Sequence, residues 1–213
     1  MNRKEIKELA KSKIKGNLWD LLWPILLIGA IEGVLTSIFA PTTYNVSDLG
    51  QIQITTSNQP AAIIIGLIAG IAMVAYKKYL INFVRNGKVE SNDMINCIKE
   101  KWLQIVITEL LMGIIIGIAS ILLVIPGIIA ALGLSMATYL VVDTELSGVD
   151  SLKKSWEIMK GYKLDYFVFD LSFIGWALLT PFTLGLLLIW LAPYMSVADT
   201  IYYDKLKEKH NIK

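Results

Sequence analysis

Four carboxylates, Glu32, Glu109, Asp170 and Asp199, lie inside apolar runs of this chain, and two lysines, Lys77 and Lys78, follow the charge-free stretch 61–75. A charged Asp at the centre of a membrane helix costs on the order of 2.5 to 3.5 kcal/mol on insertion scales, so such groups should face protein or water rather than lipid. Glu109 is seven residues past Trp102, Asp170 six past Leu164 and Asp199 six before Lys205. At the helical rise these three sit at a common depth of roughly 10 Å. Lys77 and Lys78 reach toward that level from a neighbouring run. The expectation is a polar, cytoplasm-facing cluster of Glu109, Asp170, Asp199, Lys77 and Lys78. Two chemistries suit it: an ion-pair and hydrogen-bond network that fixes helix register, or a pathway for a proton, cation or substrate. Glu32 is deeper and has no basic residue in its own run, which makes it the candidate titrating acid.

Other chemistry has few residues to draw on. The chain holds one histidine, His210, in a Lys-rich tail, and one cysteine, Cys97. No nucleophile elbow, P-loop, H-E-x-x-H or C-x-x-C pattern occurs, so no catalytic residue, metal site or cofactor is expected. A hydrolase built on carboxylates alone is the remaining enzymatic alternative. Asn45-Val46-Ser47 matches a glycosylation sequon, a pattern short enough to arise by chance.

The elements that must position these groups follow from composition. With 55% hydrophobic residues, 18% charged and mean hydropathy +0.58 in 213 residues, the apolar surface exceeds what one soluble core can bury. A net charge of +2 with interleaved acids gives no footprint for nucleic acid. The 20 basic residues fall into four segments: six before Leu18, six between Tyr76 and Trp102, four from Asp143 to Lys163 and four after Tyr203. The three intervening polar segments carry none. Because Lys and Arg flanking a span resist translocation, that alternation predicts six spans with both termini cytoplasmic in the cell membrane. The first run is read as a retained span, since it is longer than a signal-peptide core and contains Glu32.

The expected fold is all-α: a six-span transmembrane helical bundle forming one membrane domain. It comprises an amphipathic N-terminal helix within 1–17, spans at about 18–40, 61–84, 102–124, 127–143, 164–180 and 184–203, and a basic cytoplasmic tail, 204–213. Pro126-Gly127 and Pro181 divide the third and fourth, and the fifth and sixth, spans into tight hairpins. Amphipathic segments at Asn2–Lys15, Ser91–Lys101 and Asp150–Lys160 precede the three hairpins as cytoplasmic elbow helices, the last opening at a capping Asp150. The alternative for them is a soluble partner-binding helix.

Glycines recur at four-residue spacing at Gly29 and Gly33, Gly66 and Gly70, and Gly113 and Gly117. Such pairs let helices approach closely, here within the chain or, alternatively, in a homodimer. A faint echo, from duplication or from periodic membrane composition alone, also surfaces at two span ends. Ser135-Met-Ala-Thr-Tyr-Leu-Val-Val-Asp143 and Ser196-Val-Ala-Asp-Thr-Ile-Tyr-Tyr-Asp204 share Ser, Ala and Asp in register.

The opening Arg3-Lys-Glu-Ile-Lys-Glu-Leu-Ala-Lys-Ser-Lys-Ile-Lys-Gly-Asn-Leu-Trp19 resembles the start of the DUF975 family of prokaryotic multi-pass membrane proteins. The run Leu171-Ser-Phe-Ile-Gly-Trp-Ala-Leu-Leu-Thr180, with Thr183-Leu-Gly185 and Pro193-Tyr194, resembles that family's most recognisable stretch. Ser151-Leu-Lys-Lys-Ser-Trp156, Met159-Lys-Gly161 and Ile125-Pro-Gly127 also match its pattern. The resemblance implies the membrane fold and transfers no activity. General layout is also similar to membrane domains attached to some glycerophosphodiester phosphodiesterases, without the catalytic domain. Two functions remain as expectations. One is a non-catalytic module that binds or organises membrane lipid, a membrane protein partner or a membrane-active peptide, as envelope or immunity proteins do. The other is a small proton- or cation-coupled transporter or transport subunit.

Overall fold

The computed structural model describes residues 2–46 and 52–212. Six helical stretches are long and apolar enough to cross a bilayer, which makes the chain a multi-pass membrane protein. Helix α1 (Arg3–Ile14) begins at Asn2, whose side chain accepts the Glu5 N–H, and it buries Ile6, Ala10 and Ile14 along one stripe. The chain reverses at Gly16, whose φ of +93° suits a residue without a Cβ. Helix α2 (Leu18–Phe39) follows, with Pro24 inside it.

The all-α expectation holds for the bundle, and one strand pair is added to it after α2. Strands β1 (Thr42–Val46) and β2 (Ile52–Thr56) pair antiparallel, with Thr42 opposite Thr56. Both segments are rich in β-branched residues, which favour a pleated backbone over a helix. The sequon expected at Asn45 extends to Ser47, outside the described residues. Helix α3 (Gln59–Asn86) then starts at a capping Asn58, with Pro60 in its first turn, and stops at left-handed Gly87. Its 28 residues make it roughly 40 Å long, more than the bilayer core requires.

A second correction concerns the segment expected as an elbow at Ser91–Lys101. It is the first part of one continuous helix, α4 (Ser91–Leu122). No Pro or Gly interrupts the chain between Ser91 and Trp102, so nothing breaks the backbone ladder there. The turn out of α4 comes at extended Leu123 rather than at Pro126-Gly127; Pro126 sits in the first turn of α5 (Val124–Leu134), where its missing N–H costs nothing. Helix α6 (Ala137–Asp143) continues that span after a break at Ser135-Met136.

Helix α7 (Gly148–Ile158) is capped by Ser147, which accepts the Asp150 N–H, three residues before the expected cap. Helix α8 (Lys163–Ala177) leads through a 3-10 turn at Pro181–Thr183 into α9 (Leu186–Lys209). The core sits toward the basic ends of α3, α6 and α9, around Tyr76, Tyr79, Leu80, Leu140, Tyr202 and Tyr203. The turns from α4 to α5 and from α8 to α9 are bare hydrocarbon: Ile121, Leu123, Phe182 and Leu184 are exposed, Leu184 by 93%. A bilayer removes that surface from water.

Four glycines with positive φ, at 16, 87, 161 and 185, end or begin helices, but close helix approach is made elsewhere. A Cβ at Gly29, Gly33, Gly66, Gly113 or Gly117 would meet nothing within 4 Å, and at Gly70 only the Glu109 carboxylate at 4.0 Å. The spaced pairs therefore do not pack helices within this chain. Gly127, Gly133 and Gly148 do: a Cβ there would collide with Ser120, the Trp156 ring and the Gln104 carbonyl respectively.

Candidate functional site: an ion-paired centre joining three spans

Helix α3 packs against both α6 and α9, and it carries one cation at each of two levels of that contact. At the lower level is Arg85. Its terminal nitrogens donate to Asp143 at 2.6 and 2.7 Å, one to each carboxylate oxygen, while Nε and Nη2 reach Oδ1 of Asp204 at 3.0 and 2.6 Å. One guanidinium thus clamps Asp143, the last residue of α6, to Asp204 within α9, a geometry that its planar fork allows and an ammonium does not.

Asp143 is the more enclosed partner, its side chain only 1% exposed. It is satisfied on every side: Lys207 donates to it at 2.7 Å, the Tyr203 hydroxyl at 2.9 Å, and Lys78 stands 3.9 Å away. Two carboxylates, Asp143 and Asp204, therefore face Arg85 and Lys207 with charge balanced, and Lys78 adds a cation at the edge. A buried carboxylate needs this many partners to offset its lost hydration.

Lys77 occupies the upper level. Its ammonium donates to Thr138 at 2.5 Å, lies 4.7 Å from the Tyr139 ring centroid and interacts electrostatically with Glu109 and Asp199. Asp199 in turn accepts from the Tyr166 hydroxyl at 3.4 Å and feels Asp170. Of the expected cluster, Lys77 interacts with Glu109 and Asp199, and Asp199 with Asp170.

Lys78 is not among them. Successive helical residues point about 100° apart, so it turns away from Lys77 toward Asp143. Glu32 is separate as well. It is exposed on α2, where it borders an apolar cavity of about 140 Å³ shared with α3 and a second, more polar one with Gly29, Gly33 and Thr36. Neither cavity is lined by Lys77, Glu109, Asp170 or Asp199. Among the described residues no group of three or more His, Cys, Asp or Glu is arranged to hold a metal. Cys97 is buried and free.

The residues that sequence reasoning passed over are Arg85, Asp143, Asp204, Tyr203 and Lys207. A signal for two of them was present in the nine-residue echo. Its ninth positions are Asp143 and Asp204, which converge on Arg85; its fourth positions are Thr138 and Asp199, which converge on Lys77. The echo is a pair of matched contacts made by α6 and α9 to the same helix.

A model of the family described as Protein of unknown function (DUF975) matches residues 1–129 and again 115–210. The chain belongs to the DUF975 family. No curated protein and no solved structure matches it. The two matches of this DUF975 protein meet in α4 and α5, so the α3 cation pair lies in the first and both aspartates in the second.

A second device in this DUF975 protein holds the interrupted span together. At the α5–α6 break, the Ser155 hydroxyl of α7 donates to the Gly133 carbonyl at 2.9 Å and accepts the Met136 N–H at 3.2 Å. Ser155 is fully buried, so it replaces backbone partners that water cannot supply. The Trp156 ring covers Gly133 and carries the Lys163 ammonium 3.2 Å from its centroid.

Proposed function

We propose that this DUF975 protein is a non-catalytic module of the cell membrane, with both termini cytoplasmic, that binds or organises lipid, a membrane partner or a membrane-active peptide. The placement of all 20 basic residues in alternate connecting segments supports the orientation. With that orientation, α1 and α7 act as elbow helices at the inner surface, and the β1–β2 hairpin faces outward.

One observation carries the functional reading. Charges at the lower level of the bundle pair with one another: Arg85 joins Asp143 to Asp204 while Lys207 and Tyr203 close the remaining sides. Such a centre locks spans two, four and six, leaving the lipid-exposed faces and elbow surfaces as the places where something else can bind.

The alternative, a small proton- or cation-coupled transporter or transport subunit, draws on the upper level, where Lys77 faces Glu109 and Asp199, with Asp170 beside Asp199. The cavities beside Glu32 do not reach that group, which weighs against a continuous route. Proton and cation flux into proteoliposomes separates the readings, using Glu32→Gln and Asp199→Asn. Flux that is absent, or equal in wild type and variants, supports the module; flux that the amides abolish supports transport.

A further inference from the structure

Helix α1 is fixed to the bundle by one face and sets Arg3, Lys4 and Lys7 on the flank beside α8. Ile6, Ala10 and Ile14 are buried, and the helix packs on α9. Arg3, Lys7 and Lys11 recur every four residues, so they stack along one side of the helix. That side borders the aromatic wall of α8 and α9: the Lys7 ammonium is 4.5 Å from the Phe173 ring centroid and that of Lys11 is 5.9 Å from Tyr194.

Between α1 and α8 lies a cleft of about 390 Å³, lined by Asn2, Arg3, Lys4, Lys7, Val168 and Ser172. Its charge is not balanced. Arg3 has Asp165 at 3.6 Å, but that carboxylate also accepts the Tyr202 hydroxyl at 3.0 Å. The Glu5 carboxylate is turned to Lys205. Lys4 and Lys7 have no carboxylate within ion-pair distance among the described residues; Lys7 donates only to the Ser172 carbonyl, at 3.4 Å. Burial, then the neighbouring Lys11 and Arg3, push the Lys7 ammonium below its ordinary pKa.

The other wall is apolar and faces outward. Val168 belongs to the lipid-exposed side of α8 together with Leu164 and Leu171. A cationic floor meeting an apolar wall suits a ligand that has phosphate at one end and hydrocarbon at the other.

We propose that this cleft binds the phosphate of an anionic membrane phospholipid, with the acyl chains lying along α8. The assignment rests on the lipid-binding reading above and specifies where and what the protein binds.

Native mass spectrometry of the full-length, detergent-purified protein tests it, with phosphatidylglycerol, phosphatidylcholine and inorganic phosphate as probes. Wild type is expected to take phosphatidylglycerol in preference to phosphatidylcholine. Arg3→Gln, Lys4→Gln and Lys7→Gln combined should weaken that binding roughly 100-fold, from the usual contribution of a surface cation to anionic-lipid attraction. Lys153→Gln, on exposed α7, and the charge-preserving Lys7→Arg should leave it intact. If the triple variant fails to fold by circular dichroism, Lys7→Gln against Lys7→Arg makes the same comparison. Undiminished phosphatidylglycerol binding by the glutamine variants overturns the cleft and leaves the lipid-binding reading standing. Wild type that binds neither lipid overturns both. Displacement of the lipid by equimolar inorganic phosphate reassigns the site to free phosphate and overturns the phospholipid.

Discussion

Arg85 on α3 holds Asp143 at the end of α6 through both oxygens of a carboxylate that is almost wholly enclosed, and with its remaining edge it also holds Asp204. The two aspartates are 61 positions apart in sequence and occupy the same place in the repeat. Substituting Arg85→Lys keeps the charge but loses the fork, so one ammonium must choose between two carboxylates. The expected loss is about 1 to 3 kcal/mol of stability, the cost of leaving a charged hydrogen-bonding group short of partners. Thermal unfolding in detergent measures it, and a Tm equal to wild type would mean the fork is dispensable.

Ser155 makes a second prediction. Removing its hydroxyl leaves the Met136 N–H and the Gly133 carbonyl without their buried partner at the α5–α6 break. Ser155→Ala is expected to cost about 1 to 3 kcal/mol. Ser12→Ala, whose hydroxyl only donates back to Leu9 on exposed α1, should change stability by less than about 0.5 kcal/mol. Equal effects in the two variants would contradict the stitching role.

The glycines divide into two groups with opposite outcomes. Gly133→Ala drives a methyl into the Trp156 ring and should destabilise by about 1 to 3 kcal/mol. Gly113→Ala meets open space in mid-helix, so alanine's better helix propensity should leave the folded chain as stable or slightly more so, by up to about 1 kcal/mol. Melting curves of the two variants side by side check the contrast; a destabilised Gly113→Ala would point to a packing partner outside the chain.

How far the sequence foretold this arrangement depends on the range of each interaction. Spans were legible because hydropathy is a local property, and the grouping of Lys77, Glu109, Asp170 and Asp199 followed from equal depth along helices. Depth says nothing of azimuth, so Lys78, next to Lys77 in sequence, stands by Asp143 rather than with the upper group. The elbow drawn at Ser91–Lys101 failed because an amphipathic pattern can run into an apolar one without any break in the helix. Arg85 was invisible as a clamp because its partners lie 58 and 119 residues away, and only the echo ending in Asp143 and Asp204 hinted at them.

Lys7 supplies a pH prediction outside the spans. Its pKa is lowered in the folded protein, chiefly by burial and then by Lys11 and Arg3. Between that lowered value and the ordinary 10.5, the unfolded chain binds a proton that the folded one does not, so stability should rise with pH across this window. Below the window both states are protonated and the burden is constant. Comparing Tm at pH 8 and pH 10.5 for wild type and Lys7→Met tests the sign: the variant should lose this contribution to the rise, and an identical pH profile would contradict it.

The ion-paired charges of spans two, four and six are expected to act as one structural unit. A double-mutant cycle on Arg85→Met and Asp143→Leu, read by unfolding in detergent, tests it most directly. Each single change should cost about 1 to 3 kcal/mol, since Lys207 still faces Asp143 when Arg85 is lost and Asp204 still faces Arg85 when Asp143 is lost, and the double change should cost well below their sum. Losses that add to within about 0.5 kcal/mol would show that the two residues do not depend on each other and would contradict a single structural unit.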